Sequence, residues 1–187
     1  MGMSFTNIDK GLAVYFLVDC SESVGIDVNK AVNAINSIVP DLQKVNQDYK
    51  KMDMKVRIIR FSDGASFASP ASIPIDRFKA NSLFASGSCE LGKALELLYT
   101  KLNAPSVPEG VTPPVLVLIS NGHPTDDYKK PLAALKALPM YKFAMRFGFA
   151  VGSNPDKDML LEFVGLPTNV FGLDKIRTIP AAFDRGH

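Results

Sequence analysis

The chain alternates between short continuous apolar runs and longer segments that are apolar on one side only. Residues 12–18 and 115–119 are continuous apolar runs, each followed by polar residues. Such runs are typical of strands that are buried on both faces of a parallel sheet. Residues 27–46 and 88–102 carry apolar residues at helical spacing, which predicts two amphipathic helices. Strands that alternate with helices indicate an α/β fold with a mostly parallel sheet.

Weaker patterns predict the remaining elements, and proline marks several of their ends. Pro40 is expected to kink or break the first helix, Pro139 to end a later one and Pro180 to interrupt the last. No linker or internal repeat separates two cores, so we expect a single domain over residues 1–187 with a core at about 12–183. The other predicted strands are 56–61, 143–151 and one near 170–171, with a short antiparallel edge strand at 65–68, and the other predicted helices are 127–138, 157–163 and 174–183.

Composition limits the function classes. The 187 residues include 21 Lys and Arg against 19 Asp and Glu, a net charge of +2, which offers no broad basic face and argues against nucleic acid as the main partner. The amino terminus lacks the pattern of a secretory signal, and no apolar span is long enough for a membrane helix. The two cysteines are too few for a disulfide scaffold. We therefore expect a cytoplasmic protein without a membrane partner.

A polar turn follows the first apolar run. Asp19, Ser21 and Ser23 form a D-x-S-x-S sequence in which one carboxylate and two hydroxyls emerge where the strand ends. Small hard cations prefer such oxygen ligands. Ligands of open α/β sheets bind at the carboxyl ends of the strands, so we expect this turn to meet the turns at residues 87–92 and 120–126.

Three motifs in order resemble those of one family. They are D-x-S-x-S at residues 19–23, G-x-x-x-L-G-x-A-L at 87–95 and L-I-S-x-G-x-P-T-D at 118–126. Together they resemble a von Willebrand factor A (vWA) domain with a metal-ion-dependent adhesion site (MIDAS). Within that family the chain is most similar to the bacterial intracellular branch associated with tellurite resistance and stress response. The resemblance implies a doubly wound, Rossmann-like sheet with helices on both faces, and a non-enzymatic module that binds a protein partner.

The resemblance also implies a metal-ligand set, with two departures. Asp19, Ser21 and Ser23 match the family, whereas Cys89 replaces its threonine and Asn121 its second aspartate. The implied ligand is Mg²⁺ or another divalent cation, but the loss of a carboxylate lowers the expected affinity for Mg²⁺, which is usually held by one or two carboxylates. A Cys89 thiolate would favour Zn²⁺ instead. The alternative is a degenerate adhesion surface that holds no metal.

The expected partner is a protein that offers an acidic residue to this site. Glu22, Ser88, Glu90 and His123 neighbour the implied ligands in sequence, and we expect them to contact that partner. The protein itself is expected to be a monomer or a weak oligomer.

Simpler interpretations of the same residues stay open. Ser21 and Ser23 are good helix caps, and Thr125 with Asp126 is expected to cap the helix that begins near residue 127. Cys89 also suits a small buried apolar position, and His123 an exposed turn.

The alternative function is a hydrolase-like enzyme in which Cys89 or Cys20 reacts with His123 as base. The sequence shows neither the dinucleotide-binding glycine pattern nor the G-x-S-x-G of α/β-hydrolases.

Overall fold

The computed structural model describes residues 8–49 and 52–184. Residues 1–7, 50–51 and 185–187 lie outside the described part of the chain. The prediction that the amino terminus is not a signal sequence concerns mostly residues 1–7, so it falls outside the described residues. The strands are β1 (Gly11–Asp19), β2 (Lys55–Ser62), β3 (Gly64–Phe67), β4 (Ile73–Pro74), β5 (Val111–Ser120), β6 (Met145–Ala150) and β7 (Val170–Gly172). The helices are α1 (Val28–Asp48), α2 (Leu91–Leu102), α3 (Lys129–Lys136), α4 (Pro139–Lys142), α5 (Lys157–Val164) and α6 (Thr178–Asp184).

The sheet is mostly parallel, with strand order β3-β2-β1-β5-β6-β7. β3 and β4 run antiparallel to β2, at opposite ends of that strand. β1 lies in the middle, paired with β2 on one side and β5 on the other, so the chain reverses its direction of winding at β1. Such a switch point is where open α/β sheets bind their ligands.

Helices cover both faces of the sheet, as the predicted doubly wound fold requires. Phe16 of β1 packs in one apolar cluster with Ile35 of α1 and Ile179 of α6. Leu17, the next residue, packs in a second cluster with Leu95 of α2 and Leu160 of α5. Successive side chains of a strand point to opposite faces, so a strand covered on both sides must be apolar at every position. This explains the uninterrupted run at residues 12–18.

The predicted effects of proline are confirmed only in part. The predicted break at Pro40 is wrong, because α1 continues through it, with the proline ring exposed and the apolar face buried on both sides of it. α3 ends at Lys136, before Pro139, as predicted, and Pro139 also begins α4, because the first turn of a helix requires no amide hydrogen from it. Pro180 lies in the first turn of α6 for the same reason, and that helix begins only at Thr178.

Two predicted elements have different starting points. β5 begins at Val111 and includes Pro113 and Pro114, whereas the apolar run predicted a strand only from residue 115. α2 begins at Leu91 rather than at residue 88, since the preceding residues are held by other loops, as described below. None of the helices formed by the described residues combines the length and the apolar character needed to cross a bilayer.

Candidate functional site

The carboxylate of Asp19 lies at the centre of the three loops and is only 1% exposed. Its Oδ1 accepts a hydrogen bond from the backbone N–H of Ser21 at 2.9 Å. Its Oδ2 accepts from the Ser120 hydroxyl at 2.7 Å and from the Asn121 N–H at 3.3 Å. The Cys89 thiol donates to the same oxygen at 3.5 Å. A charged, buried group thus joins the ends of β1 and β5 to the start of α2.

The two serine hydroxyls of the D-x-S-x-S turn form a pair above Asp19. The Oγ atoms of Ser21 and Ser23 lie 3.0 Å apart, and the side-chain amide of Asn121 donates to Ser23 Oγ at 2.7 Å. Neither serine caps a helix. The helical turn at residues 25–27 and α1 both begin without a hydrogen bond from a capping side chain. The capping interpretation is therefore wrong for both residues.

The loop before α2 lies against the loop after β1. The Ser86 N–H donates to the carbonyl of Cys20, and the Glu22 N–H donates to the carbonyl of Gly87, both at 2.9 Å. Two peptide hydrogen bonds thus fix these loops side by side, as the sequence predicted for residues 19–23 and 87–92.

Asp63 holds this arrangement from the end of β2, and the sequence interpretation missed it. Its Oδ1 accepts from the N–H of Ser88 at 2.9 Å and from the Ser88 hydroxyl at 2.5 Å. These hydrogen bonds lower the pKa of the Asp63 carboxyl from its ordinary value. The available signal was an Asp-Gly pair directly after a predicted strand, at the sheet edge where the other loops meet.

Asp126 caps α2, and Thr125 holds the residue before its N-cap; neither caps the later helix that we predicted for them. Thr125 Oγ1 accepts from the Cys89 N–H at 3.0 Å, and the two Asp126 oxygens accept from Gly92 N–H at 2.9 Å and Lys93 N–H at 3.2 Å. A carboxylate at this end of a helix also interacts favourably with the helix dipole. The third loop therefore determines where α2 begins.

An open depression of about 360 Å³ lies over this network. Three of the four predicted partner-contacting residues line it, whereas Glu90 does not: its N–H donates to the carbonyl of Ser62 and it is half-buried. His123 is exposed, and its Nε2 lies 2.7 Å from the carbonyl oxygen of Asn154. That nitrogen must carry the hydrogen, because a carbonyl only accepts. The lining residues are Ser21, Glu22, Ser23, Gly87, Ser88, Cys89, His123 and Thr125.

The two thiols lack the environment of a nucleophile. Burial raises the pKa of Cys20 to about 11, and burial together with the neighbouring Asp19 carboxylate raises the pKa of Cys89. Both side chains are therefore protonated at neutral pH. Within the described residues, neither sulfur forms a hydrogen bond with His123, whose Nε2 is already bonded to Asn154. The hydrogen bond between a cysteine thiol and His123 that the hydrolase-like alternative requires is therefore not formed.

The residues as arranged do not fit a tightly held divalent cation. Asp19 is the one anion among the five implied ligands, and both its oxygens already accept hydrogen bonds. Asn121 turns its N–H rather than its carbonyl oxygen toward Ser23, and Cys89 is a neutral thiol. Among the residues that the structure describes, no three His, Cys, Asp or Glu side chains are grouped so that they could hold a metal.

Asn121→Asp is expected to convert this network into a Mg²⁺ site. A carboxylate cannot donate to Ser23 Oγ, and it adds a second negative charge beside Asp19, where Mg²⁺ is usually held by one or two carboxylates. We expect the variant to bind Mg²⁺ at least tenfold more tightly than the parent in calorimetric titrations. Asn33→Asp, an equal change at an exposed position of α1, is the control and should leave Mg²⁺ affinity unaltered. Equal affinities of Asn121→Asp and the parent would contradict the charge argument.

The geometry defines a class of protein: a doubly wound α/β domain with an open polar depression at the switch point of its sheet. Within that class, the chain belongs to the von Willebrand factor type A domain family, whose sequence model matches residues 13–185. The resemblance deduced from the three motifs is thereby confirmed at the level of the family. A search among curated proteins gives no match.

Solved structures share this fold at low sequence identity. BatB from Bacteroides thetaiotaomicron, a conserved hypothetical protein, is 15% identical with a TM-score of 0.64, over 94% of this chain and 98% of that one. Manganese-loaded TRAP protein from Plasmodium vivax is 13% identical with a TM-score of 0.63, over 93% and 73%. Proximal thread matrix protein 1 from the mussel byssus, with a zinc-occupied MIDAS motif, is 16% identical with a TM-score of 0.61, over 93% and 45%.

Proposed function

We propose that the protein is a non-enzymatic interaction module whose protein partner docks on the face formed by the three loops. The observation that carries this proposal is the open depression directly above the Asp19 network. The floor is held rigidly by buried hydrogen bonds, while the rim presents hydroxyls, Glu22 and His123 to solvent. A pre-formed polar surface of this kind suits recognition, because little ordering free energy is lost on binding.

The docking is proposed to be independent of metal. An intact MIDAS would receive an acidic residue of the partner through a bound cation, and two structural neighbours are described with manganese or zinc. Here the hydroxyls of Ser21, Ser23 and Thr125 are proposed to take that role by hydrogen bonding to the partner's acidic group directly. Hydrogen bonds to a charged acceptor are strong enough for such recognition. The departures at Cys89 and Asn121 support this form of the site.

Two large apolar side chains extend the proposed docking face. Phe84 is 78% exposed and lies three residues before Gly87, and Ile26 is 85% exposed and lies three residues after Ser23. Phe84 lies in the segment before α2, and Ile26 lies in the segment after β1. The hydrogen bond from the Ser86 N–H to the Cys20 carbonyl joins these two segments. Aromatic side chains are enriched in protein–protein interfaces, and large apolar side chains exposed beside a polar centre indicate an interaction surface.

Phe84→Ser is expected to weaken partner binding at least tenfold, because it removes an exposed aromatic anchor. The partner is first captured from the source organism's lysate on the immobilised domain, identified, and then titrated against purified variants by interferometry. Phe143→Ser is the matched control, since Phe143 is also exposed, at 67%, but lies just before β6 at the opposite end of the sheet. We expect the control to bind like the parent, and EDTA to leave all affinities unaltered.

Equal binding by the parent and the Phe84→Ser variant would contradict the proposed face. Loss of binding in EDTA, with recovery on adding Mg²⁺ or Mn²⁺, would contradict the metal-independent form and restore the intact MIDAS mechanism.

The cellular setting is proposed from the motif resemblance alone. The resemblance indicates a cytoplasmic protein of a bacterial stress-response or tellurite-resistance-type system. The partners that it suggests are proteins encoded with this one, such as phosphatase or kinase components. Two buried, unpaired cysteines are consistent with a reducing compartment. A partner from any other kind of system, identified in the capture experiment above, would remove this assignment without affecting the docking face.

A further inference from the structure

A groove of about 380 Å³ lies beside the β2–β3 edge of the sheet and shares no lining residue with the depression above Asp19. One wall is formed by β2, β3 and the residues that follow β3. The other wall is residues 78–83, which we call the strap. The groove is therefore a second concave surface, separate from the proposed docking face.

The strap is fixed in place by α1. The Asn36 side chain donates to the carbonyl of Ala80 at 2.9 Å and accepts from the Ala80 N–H at 2.8 Å. Phe78 and Leu83, near the two ends of the strap, are buried in the apolar cluster under α1. The groove thus keeps its shape without an occupant.

The strap has backbone groups available for pairing. Its chain is extended at Phe78, with φ −76° and ψ 135°. Beyond Ala80, the N–H groups of Asn81, Ser82 and Leu83 donate to no group in the described part of the protein. A surface segment that lies outside the helices and strands and has unpaired N–H groups can pair with an added strand.

The charge of the groove is one-sided. Arg60 and Lys79 are exposed and line it, and no Asp or Glu of the described residues is among its lining. Arg60 donates only its Nε–H, to Ser66 Oγ at 3.1 Å, so its other guanidinium N–H groups are available. The floor between the two cations is apolar, with Ile58 and Phe78 buried.

From these observations we infer that the groove binds an extended peptide segment of a partner protein in which apolar residues alternate with Asp or Glu. The peptide backbone pairs with the strap, its apolar side chains contact the floor, and its carboxylates reach Arg60 and Lys79. Alternation places the two kinds of side chain on opposite faces of the bound strand. This site is independent of the proposed docking face, and either can fail without the other.

The test uses a fluorescein-labelled nonapeptide of alternating valine and glutamate, titrated with the full chain and followed by fluorescence anisotropy. We expect saturable binding, at least tenfold weaker in the Arg60→Glu/Lys79→Glu variant. Lys136→Glu/Lys142→Glu is the matched control, since both lysines are exposed on helices that pack on the other face of the sheet. The control should bind within twofold of the parent. Thermal unfolding of all variants verifies that they are folded.

Two further peptides separate backbone pairing from simple charge attraction. The same peptide with every backbone amide N-methylated should bind at least tenfold more weakly, because it can donate no backbone hydrogen bond to the strap from either edge. A valine–lysine peptide should show no saturable binding. Equal binding by the valine–lysine peptide, or unaltered binding by the Arg60→Glu/Lys79→Glu variant, would overturn the inference. Concentration-dependent dimerisation that protects the amides of the strap would overturn it in favour of a second copy of this chain.

Discussion

Replacing Asp19 by alanine is expected to lower the free energy of unfolding by about 4 kcal/mol, since several buried donors lose their acceptor at once. The backbone N–H groups of Ser21 and Asn121, the Ser120 hydroxyl and the Cys89 thiol all donate to this carboxylate. Ser120 is fully buried, so its hydroxyl cannot turn to water instead. Urea denaturation followed by far-ultraviolet circular dichroism measures the change.

Asp41→Ala is the matched control for this substitution. Asp41 also accepts a short hydrogen bond, from Arg177 at 2.7 Å, but the two side chains are 47% and 66% exposed. Surface ion pairs contribute at most about 1 kcal/mol, so the control should lose far less than Asp19→Ala. A similar small loss for both variants would mean that the Asp19 carboxylate is not the structural centre of the three loops.

Gly122→Ala is expected to cost about 3 kcal/mol, from backbone strain and steric overlap together. Gly122 has φ +81°, which side-chain-bearing residues rarely adopt, and an added Cβ would lie 1.8 Å from the carbonyl oxygen of Asp156. That backbone is held close by the hydrogen bond from the Asp156 N–H to the Asn121 carbonyl at 2.8 Å. The loop after β5 would have to move away from the site.

Gly64→Ala separates the two contributions. Gly64 has a similar φ of +75°, but an added Cβ would meet nothing within 4 Å. It should therefore show only the strain of the left-handed conformation, about 1–2 kcal/mol. Equal losses in the two variants, measured by thermal or urea unfolding, would show that the contact with Asp156 is not restrictive.

The elements most accurately predicted from the sequence are those whose burial leaves a clear pattern. Burial of β1 and the end of β5 on both faces forces continuous apolar runs, and the amphipathic face of α1 persists past Pro40. β4 was missed because two residues carry no periodicity. The start of β5 was missed because proline usually marks loops, whereas here Pro113 and Pro114 lie in the strand.

At the site, the sequence predicted which loops meet but not how they are held. D-x-S-x-S and its partner motifs are local patterns, so they could be recognised directly. Asp63 and Asp126 act on segments more than 20 residues away along the chain, at Ser88 and Gly92. No spacing rule reveals such pairs, because the fold alone brings them together. The orientation of the Asn121 amide likewise follows from its neighbours in space.

The central position of β1 has a consequence for synthesis on the ribosome. Its two neighbours are β2, which follows soon after it, and β5, which begins only at Val111. Until β5 emerges, the nascent chain carries an apolar strand with an open edge, the feature most prone to intermolecular pairing. Synthesis that stops between β2 and Val111 would therefore release aggregation-prone fragments rather than small folded subdomains.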